Sequence, residues 1–384
     1  MIDFSLTDEQ EALRASIIGF ATRDLASDLG SNDHGGTFDR EAWERCARFG
    51  IQALPLPEAY GGAAADVVTL MVAMEALGYA CKDNGLLFSM NAQMWACQTP
   101  LLRFGTDEQR AKYLPGLGDG SLIAAHAMSE PGSGSDAFSM RSRATKTDAG
   151  WVLNGSKTFA TNAPVADLFV AFAATAPERG FFGISAFLIE KGTPGLTVGP
   201  TLDKMGLRTS PMSEVFFDDC VVPDEAMLGK PGGGFIMFNA AMLMERSLIL
   251  ACTIGSMERG LERSVAYARE RVQFGKPIGS FQAVSHRLVD MKLRLETSRL
   301  LAYRLAWLLD TGKPAELDAA LVKLHLSESF VASSLDALQV HGGYGYMTEQ
   351  ELERDVRDAI GGRLYSGTSD IQKNLAALHM GLRP

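Results

Sequence analysis

The spacing at which apolar residues recur changes twice along this chain, so one repeating architecture cannot bury them all. From Thr7 to about Leu122 helix signals dominate. Thr7-Asp8-Glu9-Gln10 and Thr106-Asp107-Glu108-Gln109 are one capping box used twice, a shared helix start and not an internal repeat. From about Ile123 to Ala226 β-rich runs take over, Trp151-Val152-Leu153, Leu168 to Phe172, Ile184 to Ile189 and Val215-Phe216-Phe217, punctuated by Gly and Pro. Beyond Lys230-Pro231-Gly232-Gly233-Gly234, read as a loop between domains, helical spacing returns at Leu288, Met291 and Leu295 and again at Leu301, Leu305 and Leu308. The expected organisation is an α+β chain in three parts: N-terminal helices over 1–122, a central antiparallel β domain over 123–226 and a C-terminal helical bundle over 227–384.

With 384 residues, 46% of them hydrophobic, there is material for a large core. A net charge of −10 lacks the basic footprint that phosphate backbones demand, which sets nucleic acid aside and leaves small molecules or proteins as partners. Five cysteines, Cys46, Cys81, Cys97, Cys220 and Cys252, are odd in number, scattered and without a C-x-x-C pair, which fits a reducing cytosol. The six histidines show no two-His spacing with carboxylates, so no metal site is expected. Met1 to Ser5 has no apolar run behind a basic start, which points away from a signal peptide and towards the cytoplasm.

The longest apolar stretch, Phe235 to Ile254, has the length of a membrane span but holds Asn239, Glu245, Arg246 and Ser247. A buried helix is the expectation, with no membrane association. Inside it Glu245 is surrounded by Met242, Leu243, Met244, Leu248 and Ile249. Such neighbours strip a carboxylate of hydration, favour its neutral form and raise its pKa towards the range of a general base. A structural ion pair with Arg246 is the alternative, although adjacent helical residues point about 100° apart.

Several motifs occur in order between Leu6 and His379. They are Pro57-Glu58-Ala59-Tyr60-Gly61-Gly62, His126-Ala127-Met128-Ser129-Glu130-Pro131-Gly132-Ser133-Gly134-Ser135-Asp136, Asn154 to Asn162, Arg271-Val272-Gln273-Phe274-Gly275-Lys276-Pro277-Ile278 and Gln339-Val340-His341-Gly342-Gly343-Tyr344-Gly345. Taken alone, the His126 segment is a Ser/Gly turn whose glycines permit close backbone approach and whose hydroxyls suit polar cofactor edges. Together the segments resemble the acyl-CoA dehydrogenase family. The resemblance implies that family's fold, with an N-terminal helical bundle, a central antiparallel β domain and a C-terminal four-helix bundle, and it implies FAD as cofactor.

By position in the family, His126, Met128, Ser129, Gly134 and Ser135 belong to the loop that holds FAD, with Ser135 also near the thioester. Thr161 corresponds to a contact of the flavin N5 region, and Phe159 to a cover of one ring face where many relatives carry tryptophan. Arg271, Gln273, Phe274, Gln339, Gly342 and Gly343 resemble the set that reaches across a subunit interface to the FAD pyrophosphate and adenine, which implies a homo-oligomer, a dimer or a tetramer. Thr368 and Asp370 are carried over as cofactor contacts, and Arg246, Leu243, Tyr344 and Ser366 as substrate contacts.

The family's reaction is oxidation of an acyl thioester, in which a carboxylate removes the α proton and the flavin takes a hydride from the β carbon. Most short- and medium-chain members carry that base where this chain has Ser366, whose hydroxyl is far too weakly basic to replace it. In the isovaleryl-CoA and long-chain branches the base instead precedes an arginine on a helix, which Met244-Glu245-Arg246 resembles. Glu245 is therefore the expected catalytic base, and the amide of Ser366 an expected donor to the thioester oxygen.

Relatives that bind coenzyme A commonly have an aspartate where this chain has Leu243. Asn162 to Asp167, Glu214 to Cys220 and Tyr365 to Asp370 are similar to the prolyl-carrier-protein dehydrogenases of pyrrole-forming pathways. A prolyl or other acyl group on a peptidyl or acyl carrier protein is thus the expected substrate, with electrons passed to a separate acceptor flavoprotein. A coenzyme A thioester, an oxygen-using flavoprotein such as a hydroxylase or nitroalkane oxidase, and a non-catalytic binding protein are the alternatives. An acidic carrier needs a local basic patch, to which Arg103, Arg110 and Lys112 are candidates unless they merely solvate a helix face.

Overall fold

The computed structural model of the protein describes residues 4–25 and 29–382. The N-terminal part consists of α1 (Asp8–Asp24), α2 (Leu29–Gly35), α3 (Arg40–Phe49), α4 (Val67–Ala80), α5 (Asn84–Gln93), α6 (Thr99–Phe104) and α7 (Asp107–Gly118), with a π-helical turn at Met94–Gln98. Both capping boxes form. The Thr7 and Thr106 hydroxyls accept from the amides of Gln10 and Gln109, while each glutamine side chain accepts from the threonine amide.

The middle part contains β1 (Ala124–Ala127), β2 (Arg143–Thr147), β3 (Gly150–Thr161), β4 (Leu168–Ala174), β5 (Ile184–Glu190), β6 (Leu196–Val198), β7 (Met212–Val222) and β8 (Met227–Leu228), in one sheet of order β6-β7-β3-β2-β4-β5-β8. Most pairings are antiparallel. Two are parallel, because β1 pairs with Leu168 to Ala171 of β4 while β2 meets the same edge at Ala174. Every residue of β4 is buried: Leu168, Val170 and Phe172 face a core shared with α6, α7 and the next helix, and Phe169, Ala171 and Ala173 face a second core between strands. A strand covered on both faces reads as a continuous apolar run, which is what the sequence carries there. β8 pairs with β5, so the sheet extends two residues past the break expected at 226.

The C-terminal part comprises α8 (Gly234–Leu248), α9 (Ala251–Glu270), a small ribbon of β9 (Val272–Gln273) and β10 (Lys276–Pro277), α10 (Gln282–Asp310), α11 (Glu316–His341), α12 (Leu352–Gly361) and α13 (Ser369–His379). Helices α8 to α11 pack as a four-helix group, onto which the short α12 and α13 lie along α11. The span Gly234–Glu270 is long and apolar enough to cross a membrane by length and composition, yet more than half of its most apolar window is buried in the protein, and it breaks at Ile249 and Leu250. The glycine triplet is not a free linker. Gly234 opens α8, and a Cβ there would sit 2.7 Å from the Ile184 carbonyl oxygen, so the bare backbone lets the helix start against β5.

The two helical parts share one core, in which Trp43, Met74 and Met90 join Leu248, Ile254, Leu305 and Leu326. At its centre α4 crosses α9 backbone to backbone: a Cβ on Gly78 would lie 1.8 Å from the Cys252 oxygen, and one on Gly255 2.1 Å from the Glu75 oxygen. Asn84 links the parts further by donating to Asp355 and Asp358, each at 3.1 Å.

Candidate active site

Helix α8 places Phe238 and Glu245 seven residues apart, hence on one face. Opposite Glu245 lies the turn Tyr365 to Thr368 between α12 and α13, where Ser366 and Gly367 take φ of 55° and 86°. A left-handed serine costs about 1–3 kcal/mol and persists only where its surroundings impose it. Two buried side chains impose it here. Lys323 of α11 donates to the Gly367 carbonyl at 2.7 Å, and Gln372 of α13 donates to the carbonyls of Ser366 and Gly367 at 3.1 and 2.9 Å. The turn so held aims the Ser366 hydroxyl at Glu245, to which it donates at 2.5 Å.

Burial raises the pKa of Glu245, while the Ser366 hydrogen bond and the charges of Arg246 and Lys323 oppose the rise. Lys323 is pushed down to about 8 by burial, with Glu245 opposing. No ion pair joins Glu245 to Arg246 among the described residues. The second carboxylate oxygen, Oε2, is sealed from solvent and has no hydrogen-bond partner there. The arrangement is a desolvated carboxylate with one oxygen anchored and one free, which is what a proton acceptor requires. Lys323 and Gln372 were not visible in the sequence, since a lysine at helical spacing reads as a solvated one.

The His126 to Asp136 loop is built on a buried ion pair. Lys157 of β3 donates to Glu130 at 2.9 Å and to the Met128 carbonyl at 3.2 Å, and Glu130 also accepts from the amides of Arg141 (2.6 Å) and Ser142 (2.9 Å). Burial alone would raise Glu130, but the Ser142 and Arg141 hydrogen bonds and the Lys157 charge outweigh it and hold the carboxyl at about 2. Met128 is buried and Ser129 accepts from Thr158, whereas Ser135 is exposed and a Cβ at Gly134 would meet nothing within 4 Å. His126 sits among Phe172 and Phe238 at ring separations of 5.4 and 6.3 Å. Its Nε2 has no partner, and burial takes its pKa down to about 4.

On β3 a bulge between Lys157 and Ala160 turns Phe159 outwards, with φ of 56° and 65% of its surface exposed, two residues before Thr161. A strained, exposed aromatic is expensive unless something covers it. A separate recess of about 510 Å³ is lined by Arg271, Gln273, Gly342 and Gly343 together with His341 and Tyr267, and by no residue of the middle part. Phe274 projects beside it, 93% exposed, and Gln339 is exposed at the end of α11.

Four expected substrate or cofactor contacts stand apart from Glu245. Tyr344 stands in the recess with the Arg271 guanidinium 5.7 Å from its ring centre, not at the base, because it follows α11 out to the far end. Leu243 packs on the helical core, since two residues on a helix differ by about 200°. Thr368 caps α13 by accepting from the Ile371 amide, and Asp370 is exposed and paired with Lys373.

The N-terminal, middle and C-terminal domain models of acyl-CoA dehydrogenase match residues 7–121, 125–220 and 232–381. The chain belongs to the acyl-CoA dehydrogenase family. Within it, the chain is 42% identical over 382 residues to the L-prolyl-[peptidyl-carrier protein] dehydrogenase of Pseudomonas fluorescens, covering 99% of this chain and 100% of that one. Its structure is similar to that of the prolyl acyl carrier protein oxidase AnaB (TM-score 0.97, 46% identity, 98% and 100% of the two chains covered) and to PigA with FAD and proline (0.97, 42%, 100% of each).

Proposed function

We propose that this chain is an FAD-dependent dehydrogenase that oxidises a prolyl or related aminoacyl group carried as a thioester on a carrier protein. The observation that carries the reading is Glu245, a desolvated carboxylate with one oxygen anchored by Ser366 and the other free. The kinship with prolyl-carrier-protein enzymes supports the substrate class.

The residues present fit the cofactor. Open backbone at Gly134, Gly342 and Gly343 and the uncovered Phe159 and Phe274 offer surface that a large planar and anionic group would cover. FAD, when bound, supplies the hydride acceptor that the side chains lack. Met128, Ser129 and Thr161 would hold its ring system and Arg271 and Gln273 its anionic portion. Because the recess of Arg271 draws nothing from the middle part, the two sets are proposed to meet across a dimer interface, in a dimer or tetramer.

Glu245 takes the α proton on Oε2. Arg246 and Lys323 favour its anion, while burial favours the neutral product. The Ser366 amide has no acceptor among the described residues and is free to donate to the thioester oxygen as charge develops there. An acceptor flavoprotein, a cytoplasmic location and domain extents of 1–122, 123–228 and 229–384, the second break moved past β8, complete the proposal.

Anaerobic mixing with prolyl, other aminoacyl and short acyl groups, each loaded on a carrier protein and on coenzyme A, tests it. Flavin bleaching with carrier-bound prolyl is expected. Bleaching with coenzyme A esters alone returns the chain to ordinary acyl-CoA chemistry, and none with any substrate rejects the dehydrogenase.

Ser366→Ala and Lys323→Met each remove something that lowers the pKa of Glu245. Because the base works as its anion, the rising limb of the pH–rate profile moves to higher pH in both variants, with roughly tenfold slower reduction on its acid side. Unshifted profiles in both would show that neither group acts on the base.

A further inference from the structure

The surface nearest the start of α8 carries an uncovered aromatic cluster. Phe181 and Phe182, in the loop Pro177–Gly183 between β4 and β5, are 45% and 51% exposed and pack against Phe235 at 4.8 and 5.8 Å. Ile236 beside them is 62% exposed. The loop is fixed in place: its end is tied by the Thr175 and Ala176 amides to the Gly183 carbonyl, and Gly232 comes so near that a Cβ there would lie 2.6 Å from the Phe182 oxygen.

Four exposed cations lie on segments that adjoin this cluster. Arg179 lies in the same loop and Lys230 in the turn before α8. Arg141 and Arg143 lie on the segment whose Ser142 carbonyl accepts from the Ala174 amide where β4 ends. None of the four has an ion-pair partner among the described residues, and the nearby acids Glu178 and Asp136 do not balance them. Of the three expected basic contributors, Arg110 is held by Asp107 and Lys112 by Glu190, each at 2.6 Å, while Arg103 is exposed with no ion-pair partner among the described residues. On a chain of net charge −10 this is an apolar, positive island.

The island leads to the base. From Phe235 the ring contacts run through Phe138 (5.0 Å) to Phe238 (5.3 Å), and Phe238 shares its helix face with Glu245. Glu245 lies nine positions beyond Ile236 on α8, about 14 Å along the axis and half a turn round it. A partner seated on the island therefore reaches the base only through a long arm.

We propose that Phe181, Phe182 and Ile236, with Arg141, Arg143, Arg179 and Lys230, form the docking surface for an acidic carrier protein whose pantetheine arm runs along α8 to Glu245. The assignment rests on the carrier-protein reading given above. Apolar centre and cationic rim fit a partner that must bind briefly and be steered by charge.

The test uses Phe181→Ser/Phe182→Ser and Arg179→Glu/Lys230→Glu double variants of the full FAD-loaded protein. Half-saturating concentration in flavin reduction is measured with prolyl-carrier protein and with a prolyl thioester of pantetheine alone. In each variant the carrier value is expected to rise about tenfold or more, with the pantetheine thioester unaffected. Unchanged carrier values, or equal losses with both substrates, overturn the docking surface while leaving the carrier reading intact. So does a fall in oligomer size by light scattering, which would make the island a contact between copies. If wild type is reduced by the pantetheine thioester but never by the carrier-bound group, the carrier reading fails and the docking surface with it.

Discussion

Glu245→Gln is expected to yield folded, yellow protein whose flavin is reduced by substrate about 10³-fold more slowly than in wild type, the scale of a lost general base. The amide is nearly isosteric and its oxygen still accepts from Ser366, so the turn at Ser366 and Gly367 keeps its place. What disappears is proton affinity at the free oxygen. Single-turnover stopped-flow under nitrogen reads this directly, and a rate within tenfold of wild type would remove Glu245 from the role. Burial disfavours the charged form of Glu245 and so makes the carboxylate the stronger proton acceptor; wild-type activity should rise with pH through a limb above the usual glutamate range.

The second large effect concerns stability. Lys157→Met strands the Glu130 carboxylate in the interior with only its amide donors, and loss of one partner of such a pair costs about 3–5 kcal/mol. The side chains of Lys157 and Glu130 are only 0% and 6% exposed, so little solvent screening softens the loss. The pH dependence has a definite sign. Glu130 titrates at about 2 in the fold against an ordinary 4.5, so the stability it contributes is present above about 4.5 and is lost as pH falls towards 2. The gap between wild type and Lys157→Met in urea denaturation is therefore widest near neutrality and narrows below pH 4.5. A gap that stays constant down to the acid limit would mean that packing, not charge, holds the loop. Because Glu130 anchors the Arg141 and Ser142 amides, the variant should also shed FAD more readily on gel filtration.

What the sequence disclosed follows the range of the forces involved. Capping boxes at Thr7 and Thr106 are local, and both helices start where they were expected. The apolar run of β4 was legible as a strand in the same way, whereas its cover on both faces is a product of the packing. The segments that resemble a family gave the overall architecture, and with it Glu245 and Ser366 as residues to consider together. Contacts made between distant helices left no local mark. Lys323 and Gln372 are polar residues in helical periods, and only packing turns them inward on the Ser366 turn. Lys157 looked like any strand lysine, and Arg110 and Lys112 looked free when carboxylates one turn or one strand away already hold them. The glycine triplet read as slack, whereas Gly234 meets the Ile184 carbonyl.

The crossing at Gly78 and Gly255 bears on where Glu245 stands. Helix α9 begins two residues after α8 ends, so any lift of α9 off α4 is passed at once to the helix that carries Glu245. The bare backbones meet at distances where a methyl group has no room, and a closed seam of this kind acts as a mechanical stop. The N-terminal helices, which lend no group to proton transfer, thus serve as the datum from which the height of the carboxylate is set. The placement of Glu245 is thereby tied to two missing side chains, one on α4 and one on α9.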